Sequence, residues 1–373
     1  MEEETLRWKV LCFIFLLFVP LTGCVDQTNV EDVSMTLILG IDLDEEDNLM
    51  VYMVSPVFEE EAKEKDETNV VKSVTIRNSR DEFDATVMGL TSGSKTQVIL
   101  IGKRLLEKKY WTNYLDAFLR DPKNTVTPRM VGVEGPVSDV IFYKPKDKAR
   151  LPVYLTKLID TAYKRNITVK TNLQEFHTQI MEKGITPSIT ALKKNDKLSL
   201  KGSVLLDEKD KYKIIISPNE NKLLRILQHK TKGDFPFTVE LPSESNNKEK
   251  RWLSFSPLTL KVKTMVKDEK NHFRFDINIK MKIALTERLF QANVREDAAK
   301  LQKSIETKMN GEFKSFINKI QKAKIDPVGF GLYARAYEYP KWKKVQDHWG
   351  KAFSKADVHV KVNVTIAGMG TIK

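Results

Sequence analysis

Between Leu258 and Ile320 the hydrophobic period changes once, from two to about 3.6, and that change limits the folds open to the chain. Leu258 to Lys267 and Asn271 to Leu285 alternate apolar and polar residues on either side of Asp268-Glu269-Lys270. Phe273, Phe275, Ile277, Ile279, Met281 and Ile283 fall on one face, the pattern of an antiparallel sheet with one solvated side. From about Val294 to Ala323 the apolar residues Leu301, Ile305, Met309, Phe313, Phe316, Ile317 and Ile320 form one helical stripe, with Lys and Glu elsewhere. The stripe reads as a core face, and Gly311 is expected to kink the helix. Val358, Val360, Val362, Val364 and Ile366 then alternate again in a last strand, Ala356 to Ala367. The fold class is therefore α+β: a mixed, multi-domain protein with antiparallel sheets flanked by helices and a long amphipathic helix in the C-terminal domain.

The N-terminus limits the compartment. Arg7 and Lys9 precede an apolar run from Val10 to Leu21. Twelve residues span about 18 Å as a helix, short of the ~30 Å hydrocarbon core of a bilayer. The order of charge then apolar run fits an export signal, although Glu2 to Glu4 are unusual in one. Leu21-Thr22-Gly23-Cys24 resembles a bacterial lipobox, in which small residues admit a protease and the thiol accepts a diacylglycerol thioether. The resemblance implies cleavage between Gly23 and Cys24, and a Cys24 that is S-diacylglycerol and N-palmitoyl modified. Only two cysteines are present, so a disulfide framework or a four-cysteine zinc site is excluded. Cys12 would leave with the signal, and two acyl chains on Cys24 suffice for stable anchoring. The net charge of +12 becomes +13 after cleavage, because residues 1–23 carry two basic and three acidic residues. On an exported chain this charge faces an anionic lipid membrane rather than nucleic acid.

The length of 373 residues suggests two or three domains. Residues 1–23 read as the lipoprotein signal peptide and 24–195 as an N-terminal α/β domain. Residues 196–245 read as a middle β-hairpin and helix domain. Residues 246–373 read as the C-terminal domain of antiparallel sheet plus long helix. In the first domain, strands at 34–42 and 48–58 flank the acidic turn Asp44-Glu45-Glu46-Asp47. Val71 to Arg77, Thr96 to Gly102 and Met130 to Glu134 read as strands. Asp81 to Leu90, Trp111 to Leu119, Leu151 to Tyr163 and Asn172 to Met181 read as helices. In the middle, Leu200 to Leu206 and Tyr212 to Ser217 form a hairpin, followed by a helix from Asn221 to Gln228 capped by Asn219 or Asn221.

Four patterns resemble catalytic or metal motifs without meeting their requirements. Gly89-Leu90-Thr91-Ser92-Gly93 lacks the strand-to-helix setting of a nucleophile elbow and reads as a helix C-cap. Gly93-Ser94-Lys95-Thr96 lacks the Gly-Lys adjacency of a phosphate loop. Asp42 to Asp47 lacks the glycine and terminal glutamate of a calcium loop. His177, His229, His272, His348 and His359 show no metal spacing. Neither a catalytic residue, a metal site nor a cofactor is expected.

The C-terminal stretch is the most distinctive. Asp326-Pro327-Val328-Gly329-Phe330-Gly331 follows the long helix, then Tyr339-Pro340-Lys341-Trp342-Lys343-Lys344-Val345 and Trp349-Gly350-Lys351-Ala352-Phe353. With Cys24, Gly40-Ile41-Asp42 and Arg120-Asp121, these resemble the Ger(x)C, or GerAC-like, family of spore germination lipoproteins, over nearly the whole mature chain. Two departures are Cys24-Val25-Asp26 in place of Cys-Trp-Asp, and Gly202 to Leu206 without the common Ala and Phe. The resemblance implies three mixed α/β domains and a non-enzymatic, lipid-anchored C subunit of a nutrient germinant receptor. It implies a place on the outer face of the spore inner membrane, beside membrane-embedded A and B subunits, with germination in response to nutrients such as amino acids. The alternative is a solute-binding lipoprotein of an import system. Tyr339, Trp342, Lys343, Lys344 and Trp349 suit an interface, aromatic and basic together; alternatively Trp342 and Trp349 cap the last domain's core.

Overall fold

The computed structural model describes residues 1, 3–9, 13, 29–59, 61–145, 148–242, 250–269, 272–290 and 297–368. Cys24, nearly all of the apolar run before it and the first residues of the stretch expected as the long helix lie outside these.

The first four strands are β1 (Val33–Met35), β2 (Ile38–Leu43), β3 (Leu49–Pro56) and β4 (Asp66–Ser73). The acidic turn joins β2 to β3 as expected, and its first acid, Asp44, bonds within the turn itself. Asp44 Oδ1 accepts from the backbone N–H groups of Glu46 at 2.9 Å and Asn48 at 2.8 Å. Next come α1 (Ile76–Asp84), β5 (Leu90–Ser92) and β6 (Val98–Ile101). The helix expected at 81–90 thus begins five residues earlier, because Thr75 Oγ1 caps the Asn78 N–H at 3.0 Å and Ile76, Ser79 and Phe83 form the buried face. Residues 89–93 therefore do not end a helix; they include a strand, β5, that pairs parallel with β1.

The chain continues through α2 (Lys103–Leu106), a 3-10 turn at Trp111–Leu115, α3 (Asp116–Arg120), β7 (Arg129–Val133) and α4 (Val137–Ile141). Then follow α5 (Leu151–Lys164), α6 (Leu173–Met181), β8 (Ser188–Lys194), β9 (Leu198–Leu206), β10 (Tyr212–Ile216) and α7 (Pro218–Leu227). The α7 cap is Ser217, not an asparagine: Ser217 and Glu220 make a reciprocal capping box, and Asn221 is buried on Ser203 and the Asn166 carbonyl.

These strands make an eight-stranded sheet in the order β10-β9-β8-β7-β6-β2-β3-β4. Its centre, β8-β7-β6-β2, is parallel. Parallel strands are covered on both faces, so they read as continuous apolar runs, as Val98–Ile101 does. Leu39, Ile41, Ile99 and Ile101 face α1, α2, α3 and α6, while Ile38, Val98 and Leu100 face α4 and α5. The segment 196–245, expected as a middle domain, is divided: its hairpin extends this sheet, and its last strand joins the next one.

The second sheet contains β11 (Phe237–Leu241), β12 (Arg251–Glu269), β13 (His272–Arg288) and β14 (Asp357–Gly368), in that order. On β13 the expected face is buried from Phe273 to Ile283. Between β13 and β14 run α8 (Ala298–Ala323), α9 (Phe330–Tyr337), α10 (Tyr339–Val345) and α11 (Trp349–Phe353). The helix α8 is continuous through Gly311, and its whole apolar stripe is buried on the sheet. At 26 residues it carries the chain back about 39 Å, so β14 enters parallel to β13 and the sheet is mixed. Each fully buried Phe or Ile on that stripe contributes about 1.5–3 kcal/mol.

The edge of this sheet is closed by the same helix. Gln302 Oε1, Glu306 Oε1 and Asn310 Oδ1 accept from the N–H groups of Ile366 (2.8 Å), Val364 (2.9 Å) and Val362 (2.9 Å). Four helical residues advance about 6 Å and two strand residues about 6.6 Å, so the two ladders stay in step.

Candidate functional site

The two sheets meet where the loop after α6 crosses onto the segment after α8, and the chemistry of that seam follows from two glycines and one acid. A Cβ on Gly331 would stand 2.6 Å from Gly184 Cα, so backbone lies against backbone there. Asp326, fully buried, accepts from Gly329 N–H (2.9 Å), Gly331 N–H (2.9 Å) and Trp349 Nε1 (2.8 Å). Its own carbonyl accepts from Thr186 N–H at 2.8 Å. Burial raises the Asp326 carboxyl to about 6, while Trp349 and the glycine N–H groups oppose the rise. At neutral pH it is therefore a cradled carboxylate. Arg335 with Glu182 (2.8 Å) and Lys183 with Asp347 (2.6 Å) add two partly exposed ion pairs across the seam.

This geometry decides where the aromatic and basic residues of the C-terminus lie. Trp342 and Trp349 are only 3% and 2% exposed, which corrects any picture of these indoles as surface groups. Trp349 packs edge-on to Phe273 and is tied to Asp326. Trp342 lies under the Arg335 guanidinium and beside Tyr339. Tyr337 and Tyr339 are exposed, as are Lys343 and Lys344. Lys341 turns inward, donating to the carbonyls of Glu269 (2.6 Å) and His272 (2.8 Å) at the tip of the β12–β13 hairpin.

A second feature is an open cleft of about 830 Å³ between α1 and α3, lined by Ile76, Arg77, Arg80, Tyr114 and Ala117 among others. Arg120 and Asp121, adjacent in sequence, do not pair with each other. Arg120 Nε meets Asp116 Oδ2 at 2.7 Å, and Asp121 Oδ2 accepts from Arg80 Nη1 at 3.0 Å. The Lys123 N–H, and after it Arg80, hold the Asp121 carboxyl below its usual range. Arg80 and Arg120 are thus already paired with carboxylates of the cleft itself, the kind of guanidinium–carboxylate contact that fixes geometry.

At Gly40-Ile41-Asp42 the structure shows what each residue type does. A Cβ on Gly40 would stand 2.5 Å from Val137 Cγ1, and Asp42 accepts from the N–H groups of Leu43 (2.8 Å) and Val137 (2.9 Å). The motif thus seats α4 on β2. Among the described residues no group of three or more His, Cys, Asp or Glu is placed to hold a metal. Among them, too, no helix is long and apolar enough to cross a membrane. Sequence reasoning singled out the stretch Asp326 to Gly331 but missed the role of Asp326; the available signal was an acid followed at three and five residues by glycine.

The two sheets, the long covering helix and the aspartate-glycine seam define an α+β, helix-flanked protein in which two halves share one boundary. Residues 26–194 match the family model "Spore germination protein N-terminal domain", and residues 201–370 match "Spore germination B3/ GerAC like, C-terminal". The chain belongs to the GerAC-like family of spore germination proteins. It is 24% identical to Spore germination protein B3 of Bacillus subtilis (strain 168), over 96% of this chain and 97% of that one. Spore germination protein A3 of the same organism is 22% identical, over 98% of this chain and 99% of the other. The crystal structure of the GerBC protein has the same fold, with a TM-score of 0.57 and 19% identity, covering 91% of this chain and 99% of that one.

Proposed function

We propose that this chain is a non-enzymatic, lipid-anchored C subunit of a nutrient germinant receptor, held on the outer face of the spore inner membrane beside the A and B subunits. The observation that carries this reading is the match to germination-protein models along both halves of a chain whose Cys24 follows Leu21-Thr22-Gly23. Asp326 at the seam and Asp121 at the cleft are each engaged by backbone N–H donors, an arrangement that supports scaffolding and recognition rather than proton transfer. The anchor confines the protein to a plane and raises its effective concentration toward membrane partners. Substituting Cys24→Ala should move the protein from the membrane fraction of spores to the soluble fraction and weaken the response to nutrients. Unchanged membrane retention would overturn the anchor. Affinity capture from spore inner membrane should bring two multi-span proteins with it, and capture of the chain alone would overturn the receptor reading.

A further inference from the structure

We propose that the face formed by Val30, Met88 and Leu90 touches the membrane surface, its apolar side chains entering the boundary between headgroups and acyl chains. The inference rests on the lipid-anchor reading above and extends it to the way the folded body sits on the bilayer.

Val30 is six residues from Cys24, and six extended residues span at most about 22 Å. Wherever the acyl chains enter the bilayer, the residues around Val30 therefore lie within about 22 Å of that point. Val30 itself is 58% exposed, Leu90 60% and Met88 98%. The parallel pairing of β1 with β5 brings them together. Val33 lies opposite Leu90, the short turn Val30–Asp32 precedes it, and Gly89 lies against Asp32.

The loop that presents Met88 is fixed. Asp84 Oδ1 accepts from Thr91 N–H and Thr91 Oγ1, both at 2.7 Å. The N–H groups of Thr86 and Val87 close back on the Phe83 carbonyl at 2.8 and 2.9 Å. Gly89 takes a φ of +138°, and a Cβ there would stand 3.1 Å from the Asp32 carbonyl oxygen. A fixed loop loses little conformational freedom when its tip enters the interface. Glu31 and Asp32 are exposed in the same turn, so the contact is apolar and does not depend on anionic lipid.

The test uses the mature chain, residues 24–373, whose single cysteine, Cys24, is coupled to a maleimide lipid in vesicles of phosphatidylcholine. This supplies the anchor whether or not the cell does, so its outcome is separate from that of Cys24→Ala in spores. In Met88→Trp the added fluorescence should fall about twofold or more when the acyl chains are brominated near the headgroups. In Lys213→Trp, on β10 at the far edge of the large sheet, the added fluorescence should not fall. The quenching should be unchanged between about 50 and about 500 mM salt. No quenching at position 88 in the anchored chain overturns the proposal. Equal quenching at both positions, or loss of quenching in high salt, overturns it as well.

Discussion

Asp326 illustrates how one residue can be conspicuous in a sequence while its role is set elsewhere. The acid and its two glycine donors lie within six residues, but Trp349 and Thr186 reach it from 23 residues after and 140 before. Its carboxyl is raised by burial from the ordinary 3.8 to about 6. The folded state therefore keeps a proton that the unfolded chain has already lost, and stability falls as pH rises from about 4 to about 6, then levels. The raised pKa corresponds to about 3 kcal/mol at 1.36 kcal/mol per unit. Urea midpoints at pH 4, 5, 6 and 7 should fall less steeply in Asp326→Asn than in the wild type, because Asp42, Asp66 and Asp210, also raised by burial, remain in both; the variant is also destabilised by about 1–3 kcal/mol at pH 4. Parallel pH profiles for the two proteins would refute the assignment. Gly40-Ile41-Asp42 is the same kind of case: visible as a triplet, explained only by Val137, which packs on the glycine and donates to the acid.

Among the elements, those with strong local signals stand where the periodicity put them: β13, α8, α5 and the β2–β3 hairpin. The displaced ones had competing signals. In α1 the apolar series Phe83, Val87 and Leu90 suggested a later helix, but the Thr75 cap and the Ile76, Ser79 and Phe83 face are satisfied earlier. The small helices α9, α10 and α11 were not legible, because they are held by contacts to strands of the second sheet far away in the chain. The polar face of α8 was the least legible of all. Gln302, Glu306 and Asn310 read as solvent-facing, yet they occupy the outer N–H groups of β14. Replacing all three by Ala should cost about 2–4 kcal/mol, at about 1 kcal/mol per hydrogen bond. It should also free a strand edge for pairing with other chains. Thermal unfolding with light scattering checks both effects; unchanged stability with no added scattering would show that the ladder is incidental.

For the whole molecule, the boundary between the two family models falls between residues 194 and 201, over the turn that joins β8 to β9 and the first residues of β9. The first sheet does not end there, since β9 and β10 continue it. A fragment of residues 26–194 leaves β8 as a bare edge and exposes the apolar residues that β9 covers, including Ile189 and Ala191. Residues 26–217 complete the sheet. The shorter fragment should be insoluble or molten by near-ultraviolet circular dichroism, and the longer one soluble with a cooperative transition. Equal behaviour of the two fragments would mean that β9 and β10 are dispensable to the first sheet.

By itself the sequence determined the periodicities, the turns and caps nearest each helix, the family to which the chain belongs, and the α+β class. Those signals are local, carried by residues within a few turns or one strand of each other. Only the tertiary structure decided that β14 runs parallel, that one hairpin crosses the apparent domain boundary, that α8 seals a sheet edge, and that Trp342 and Trp349 are core. Each of these depends on hydrogen bonds or burial between groups far apart in the chain, and a linear pattern carries no distance between them.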